Sequence, residues 1–269
     1  MFILREIRAP LILFVIFLTV LVDRGICRKW QMMHSVHFLV YYIEDNDNKG
    51  FARQTLREAE QYYRKISSSL GYGKYSKFWE EKRQIKIYLF PTKKEYLENT
   101  GQPFWSDGVA NYRNRTISSF IDSKSFFDSL LPHELTHIVF RDFVGFKGKI
   151  PLWIDEGVAQ WQEKGKKEYV RSKMKDLVKR GEVLPLSDLS RIDVRQVKDE
   201  RTVEIFYMEA VSVVDFLIEK YGSIRFLDLC LKLRDGADFE ASLEEIYPPS
   251  AASIDKLDRR WRKYVLEGY

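Results

Sequence analysis

A chain of 269 residues with 45% hydrophobic and 14% aromatic side chains has ample material for a packed core, which excludes an intrinsically disordered protein. The formal charge of +5 falls only to +4 when residues 1–27 are set aside, because Arg5, Arg8 and Arg24 leave together with Glu6 and Asp23. No zinc-finger spacing, RNA-binding motif or long Lys/Arg block accompanies this mild basicity, so no nucleic-acid partner is expected.

Arg5 and Arg8 precede an apolar run from Leu11 to Val22 broken only by Thr19. That is right for a signal-peptide core and short for the ~20 residues of a membrane span. Residues 1–27 are therefore expected to be a signal peptide or an N-terminal membrane anchor, a possible membrane tether, with the rest secreted, periplasmic or held facing outside the cytoplasm. Of the two cysteines, Cys27 lies beside this leader and Cys230 in an apolar stretch, so no structural disulfide is expected.

Residues 34–43 read as one strand, closed by a polar turn that runs to Gly50. Apolar residues at helical spacing from Arg53 to Leu70 predict a helix stopped by Gly71. Residues 85–90 alternate as a strand, Pro91 closes it, and Thr92 caps a short helix to about Asn99. Residues 109–113 and 116–121 predict a hairpin about Asn114. Either of its strands could be an edge that binds a peptide by strand addition. Helical character resumes near Ser129, since Pro132 is tolerated in a first turn, and continues to Gly145. A second helix runs from about Trp153 through Gln162. Thereafter the chain reads as helical: a basic segment over residues 164–180, an irregular connection over 181–202, a buried helix over 203–221, and helices over 224–233 and around Ile254 to Val265.

Within the first of the paired helices stands His133-Glu134-Leu135-Thr136-His137. A four-residue step in a helix turns about 40° and rises about 6 Å, so both imidazoles leave one face as two ligands of one zinc ion. Glu134 lies about 100° around, on the flank of that face, placed to take a proton from water. Eighteen residues separate His137 from Glu156, enough for the helix to finish and an antiparallel one to return beside it. Glu156 then completes a His2Glu site with an open fourth position. Gly157 is expected to let these two helices approach closely.

This pattern resembles the gluzincin metallopeptidases, and Pro151-Leu152-Trp153-Ile154-Asp155-Glu156-Gly157-Val158-Ala159 is similar to a block of the peptidase MA-like domain family. The similarity extends over roughly residues 34–266. It implies an α+β fold, thermolysin-like, with a small mixed N-terminal sheet and active-site helix over 34–150 and an all-helical subdomain supplying the third ligand over 151–269. It implies one Zn2+ ion held by His133, His137 and Glu156, with Glu134 as general base and a peptide or protein as substrate. Some gluzincins support the oxyanion with a His and others with a Tyr. His34 and His37 lie too far upstream, and Tyr207, in Phe206-Tyr207-Met208-Glu209-Ala210, matches a Tyr-bearing helix of the family. Gln160 stands where many thermolysin-like enzymes have an acid that orients a zinc ligand, so that role passes to Asp155 or Asp142. No block for gripping a substrate amino terminus is present, which favours an endopeptidase over an aminopeptidase. The alternative function is a non-catalytic peptide-binding or structural zinc protein derived from a peptidase fold.

Overall fold

The computed structural model describes residues 29–44, 46–72, 84–145 and 149–268. The expected leader over residues 1–27 lies outside these. Among the described residues no helix is long and apolar enough to cross a membrane.

The chain is mixed α and β, a five-stranded sheet followed by helices. Strands β1 (Trp30–His34), β2 (Phe38–Ile43), β3 (Ile85–Phe90), β4 (Gly108–Asn111) and β5 (Thr116–Phe120) lie in the order β1-β2-β3-β5-β4. The β2/β3 and β3/β5 pairs are parallel, and the outer pairs β1/β2 and β4/β5 are antiparallel. The single strand expected over 34–43 is thus two. Ser35 N–H donates to Phe38 C=O at 2.9 Å and folds β1 back on β2, in a turn without Gly, Pro or Asn to announce it. β5 lies between β3 and β4, so of the two candidate edges only β4 is one. Alternation sets the faces: Phe38, Val40 and Tyr42 on β2 and Ile85, Ile87 and Leu89 on β3 are buried.

Helix α1 (Asn46–Ser69) begins earlier than expected, because the Asn/Asp-rich run is its first turns and not a loop. Asn48 Nδ2 donates back to Ile43 C=O at 2.9 Å and ties the helix start to the end of β2. Helix α2 (Lys93–Thr100) starts as predicted, with Thr92 Oγ1 accepting from Glu95 N–H at 3.2 Å. A π-helical turn (Phe126–Leu130) leads into α3 (Leu131–Val144), where Pro132 falls in the first turn. Then come α4 (Leu152–Trp161), α5 (Lys166–Arg180), the one-turn α6 (Leu186–Leu189), a 3-10 turn (Val194–Gln196), α7 (Glu200–Tyr221), α8 (Ser223–Arg234), α9 (Phe239–Ile246) and α10 (Ile254–Glu267). Helix α9 was not foreseen; its signal is an Asp238 cap that accepts from Glu240 and Ala241 N–H, followed by few buried side chains.

Helix α7 is the axis of the helical half, buried from Ile205 to Ile218 except at Tyr207. Helix α4 packs directly on it at Gly157. A Cβ there would meet Ala210 O at 2.4 Å and Val214 Cγ2 at 2.8 Å. The glycine therefore serves the α4/α7 contact and not the expected contact between α3 and α4. One helical position beyond Glu156 the chain has turned about 100°, so a glutamate facing α3 leaves its neighbour facing elsewhere. Two indole N–H groups fasten the same helix: Trp161 Nε1 donates to Asp215 at 2.9 Å and Trp261 Nε1 to Ser212 at 3.0 Å. The basic segment forms α5, whose buried side is Val170, Met174 and Leu177 and whose Arg171 pairs with Asp215 at 2.8 Å.

Candidate metal centre

Helices α3 and α4 bring His133, His137 and Glu156 together, with one ligand atom from each lying within 4.8 Å of the others. The two Nε2 atoms are 3.1 Å apart, and each is 3.8 Å from Glu156 Oε2. A triangle of those sides has its centre about 2.1 Å from each corner, the length of a zinc bond to imidazole or carboxylate. Two imidazoles and one carboxylate are also the donor set of catalytic zinc sites that keep an open position. The residues present fit a single zinc ion.

Each imidazole is held from behind. His137 Nδ1 lies 3.0 Å from Asp155 Oδ1, and the other oxygen of Asp155 accepts from Arg141 Nε at 2.9 Å. His133 Nδ1 lies 2.8 Å from Glu163 Oε1, and Glu163 Oε2 accepts from Ser129 Oγ at 2.8 Å. Carboxylates on both Nδ1 atoms keep the protons there and leave the Nε2 lone pairs facing the cluster, the tautomer a metal requires. Of the two candidate acids, Asp155 takes the orienting role, whereas Asp142 pairs with buried Arg115. Glu163 was missed. It stands seven residues after Glu156, beyond the last residue of α4 at Trp161, whereas Gln160 lies inside the helix one turn after Glu156. Gln160 is buried, and its Oε1 has no hydrogen-bond partner among the described residues, so it orients neither histidine through that oxygen.

The electrostatics follow from this packing. Burial alone would push the His137 imidazole down, but the hydrogen bond and charge of Asp155, reinforced by Glu156 and Glu134, raise it to about 9. Burial pushes the Glu156 carboxyl up against the lowering influence of both histidines. Burial also works to raise Asp155, yet its bonds to His137 and Arg141 win and hold it below the usual carboxylate range. Four carboxylates, Asp155, Glu163, Glu156 and Glu134, around two imidazoles stabilise a divalent cation.

Glu134 is partly buried on the flank of α3, close enough for its charge to act on His137, Glu156 and Tyr112. Tyr207 projects from the half-exposed position of α7, within electrostatic range of Glu156; burial, then that carboxylate, raise its hydroxyl above the ordinary tyrosine value. A second tyrosine, not foreseen, is also present. Tyr112, just past β4, sets its ring 5.3 Å from the His137 ring, and burial with Glu134 nearby raises its hydroxyl as well. Its signal was its place at the end of the edge strand that packs beside α3. His34 and His37 lie elsewhere. His37 occupies the β1–β2 turn, with Nδ1 2.8 Å from Glu60 and its ring stacked on Tyr63, a structural role.

Residues 78–267 match the family model described as the peptidase MA superfamily, which marks a metallopeptidase-like domain over most of the chain. The match includes α3, α4 and α7 but not β1, β2 or α1. No curated protein matches the sequence.

Proposed function

The chain belongs to the peptidase MA superfamily, and on that premise we propose that it is a zinc-dependent metallopeptidase, an endopeptidase acting outside the cytoplasm. The observation that carries the reading is the triangle of His133, His137 and Glu156 with a carboxylate behind each imidazole. The export part rests on Arg5, Arg8 and the apolar run after them.

A zinc ion bound there supplies Lewis acidity, polarising a peptide carbonyl and lowering the pKa of water toward ~7. The chain's own groups do the rest. Glu134 takes the proton of the attacking water and delivers it to the leaving amine. Asp155 and Glu163 fix the ring planes of His137 and His133 so that the Nε2 positions do not drift during turnover. Tyr207, protonated because burial and Glu156 raise its hydroxyl, donates to the oxygen that gains charge. The free edge of β4 beside α3 accepts the substrate backbone as an added strand, which supports internal cleavage.

Hydrolysis of denatured casein by zinc-loaded protein tests this. Glu134→Gln should lower turnover about 10²–10⁴-fold with zinc retained, and Tyr207→Phe should lower kcat about 10²-fold with little change in KM. Wild-type protein that holds zinc and cleaves nothing in a broad peptide library overturns the reading.

A further inference from the structure

Glu156 of the metal cluster borders a cleft of ≈ 550 Å3 that three arginines line: Arg113 from the β4–β5 turn, Arg141 from the last turn of α3, and Arg195 from the 3-10 turn. Two carboxylates face them, Asp155 and Glu156. Both are committed, Asp155 to His137 and Arg141, Glu156 to the metal cluster. Arg141 is thereby occupied as a support for His137. With Asp193, which pairs with Arg195, the three guanidiniums are matched by three carboxylates, and a divalent cation at Glu156 tips the balance positive, which is unsuited to a basic substrate residue and suited to an acidic one.

Arg195 is placed to read that charge. Asp193 accepts from its Nε at 2.7 Å and its Nη2 at 2.9 Å, which fixes the plane of the guanidinium and leaves Nη1 outside the pair. Its charge reaches Glu156 and Tyr207. It also lines a second cavity of ≈ 800 Å3 bounded by Lys149, Arg191 and α9, and Leu152 is common to both cavities. Arg195 thus stands where the cleft beside Glu156 adjoins the larger cavity.

We propose that Arg195, assisted by Arg113, makes this cleft selective for peptides that carry a carboxylate close to the scissile bond. That carboxylate comes from an Asp or Glu side chain or from a chain end. The inference rests on the metallopeptidase reading for its meaning but not for its test.

The test uses the full chain as the Glu134→Gln variant, so that nothing is cleaved, and follows binding of short dansyl-labelled peptide pools by fluorescence anisotropy. Pools carry Glu, Gln or Lys at the central position with amidated ends, and one Gln pool has a free carboxylate end. Each is measured with zinc and after chelation, which separates a carboxylate held by arginine from one bound to metal. The Glu pool should bind about tenfold more tightly than the amidated Gln pool, the size of one charge-assisted contact. The preference should weaken without zinc but remain, vanish in Arg195→Gln, and turn toward the Lys pool in Arg195→Glu. Preference for the free-ended Gln pool instead assigns the carboxylate to the chain end and still supports the proposal. Equal binding of all pools, or a preference untouched by Arg195→Gln, overturns it. If wild-type protein hydrolyses none of the pools while the binding ratio holds, the hydrolytic reading fails and the selectivity stands.

Discussion

Gly157→Ala adds one methyl group at the tightest point of the fold. Its Cβ would lie 2.4 Å from Ala210 O, 2.8 Å from the same carbonyl carbon and 2.8 Å from Val214 Cγ2. Two of these three are backbone atoms of α7, so no side chain can swing aside. Helices α4 and α7 must part by about 0.6–1 Å to reach ordinary contact, at a cost of about 1–3 kcal/mol. The better helix propensity of Ala returns about 1 kcal/mol. A net loss of up to about 2 kcal/mol should lower Tm by up to about 8 °C in a protein of this size. The displacement also passes to Glu156, the adjacent residue, whose carboxylate has a tolerance of about 0.2 Å as a ligand. Zinc affinity should therefore fall at least about tenfold. Urea denaturation of the metal-free protein and competition with a chromogenic chelator read the two effects separately. A variant with wild-type stability and wild-type zinc affinity refutes the close α4/α7 packing and its coupling to the site.

Two further outcomes are expected. Asp155→Asn and Glu163→Gln should each weaken zinc binding about 10–100-fold in the same chelator competition without abolishing it; no effect from Glu163→Gln would show that His133 needs no support. The second concerns Glu209, fully buried on α7, which accepts from Leu184 N–H at 2.6 Å and whose other oxygen has no hydrogen-bond partner among the described residues. Burial raises its carboxyl to about 8. With a folded value above the unfolded one, its stabilising contribution is complete below about pH 4.5 and is lost as pH rises through about 8. Glu209→Gln should therefore raise Tm more at pH 9 than at pH 5, and an identical change at both values would contradict a protonated, buried acid.

The central site was legible because its logic is short-range. His133, Glu134 and His137 sit within one helical turn, and the rise and twist of a helix fix their geometry without tertiary information. Glu156 was recoverable because the intervening residues suffice for one reversal. The supporting acids required more. Choosing Asp155 over Asp142 depends on which way α3 faces the sheet, since Asp142 is drawn to Arg115 at the start of β5. Glu163 lies beyond the end of α4 and reaches His133 only because that end docks on the π-helical turn, where Lys164 N–H donates to Asp128 C=O at 2.8 Å. Gly157 was recognised as a close-approach residue, but its partner α7 lies more than forty residues away in sequence. The β1–β2 turn and α9 were missed for an opposite reason: the turn carries only a single Ser and no Gly, Pro, Asn or Asp, and the helix is too short for its periodicity to stand out.

The account turns on a metal held by His133, His137 and Glu156, and elemental analysis of the purified full chain tests it most directly. One zinc per chain is expected in the wild type, with loss in His137→Ala and Glu156→Gln while far-ultraviolet circular dichroism shows the fold retained. A wild-type protein that binds no zinc when dialysed against the ion, or variants that keep full occupancy, would contradict it.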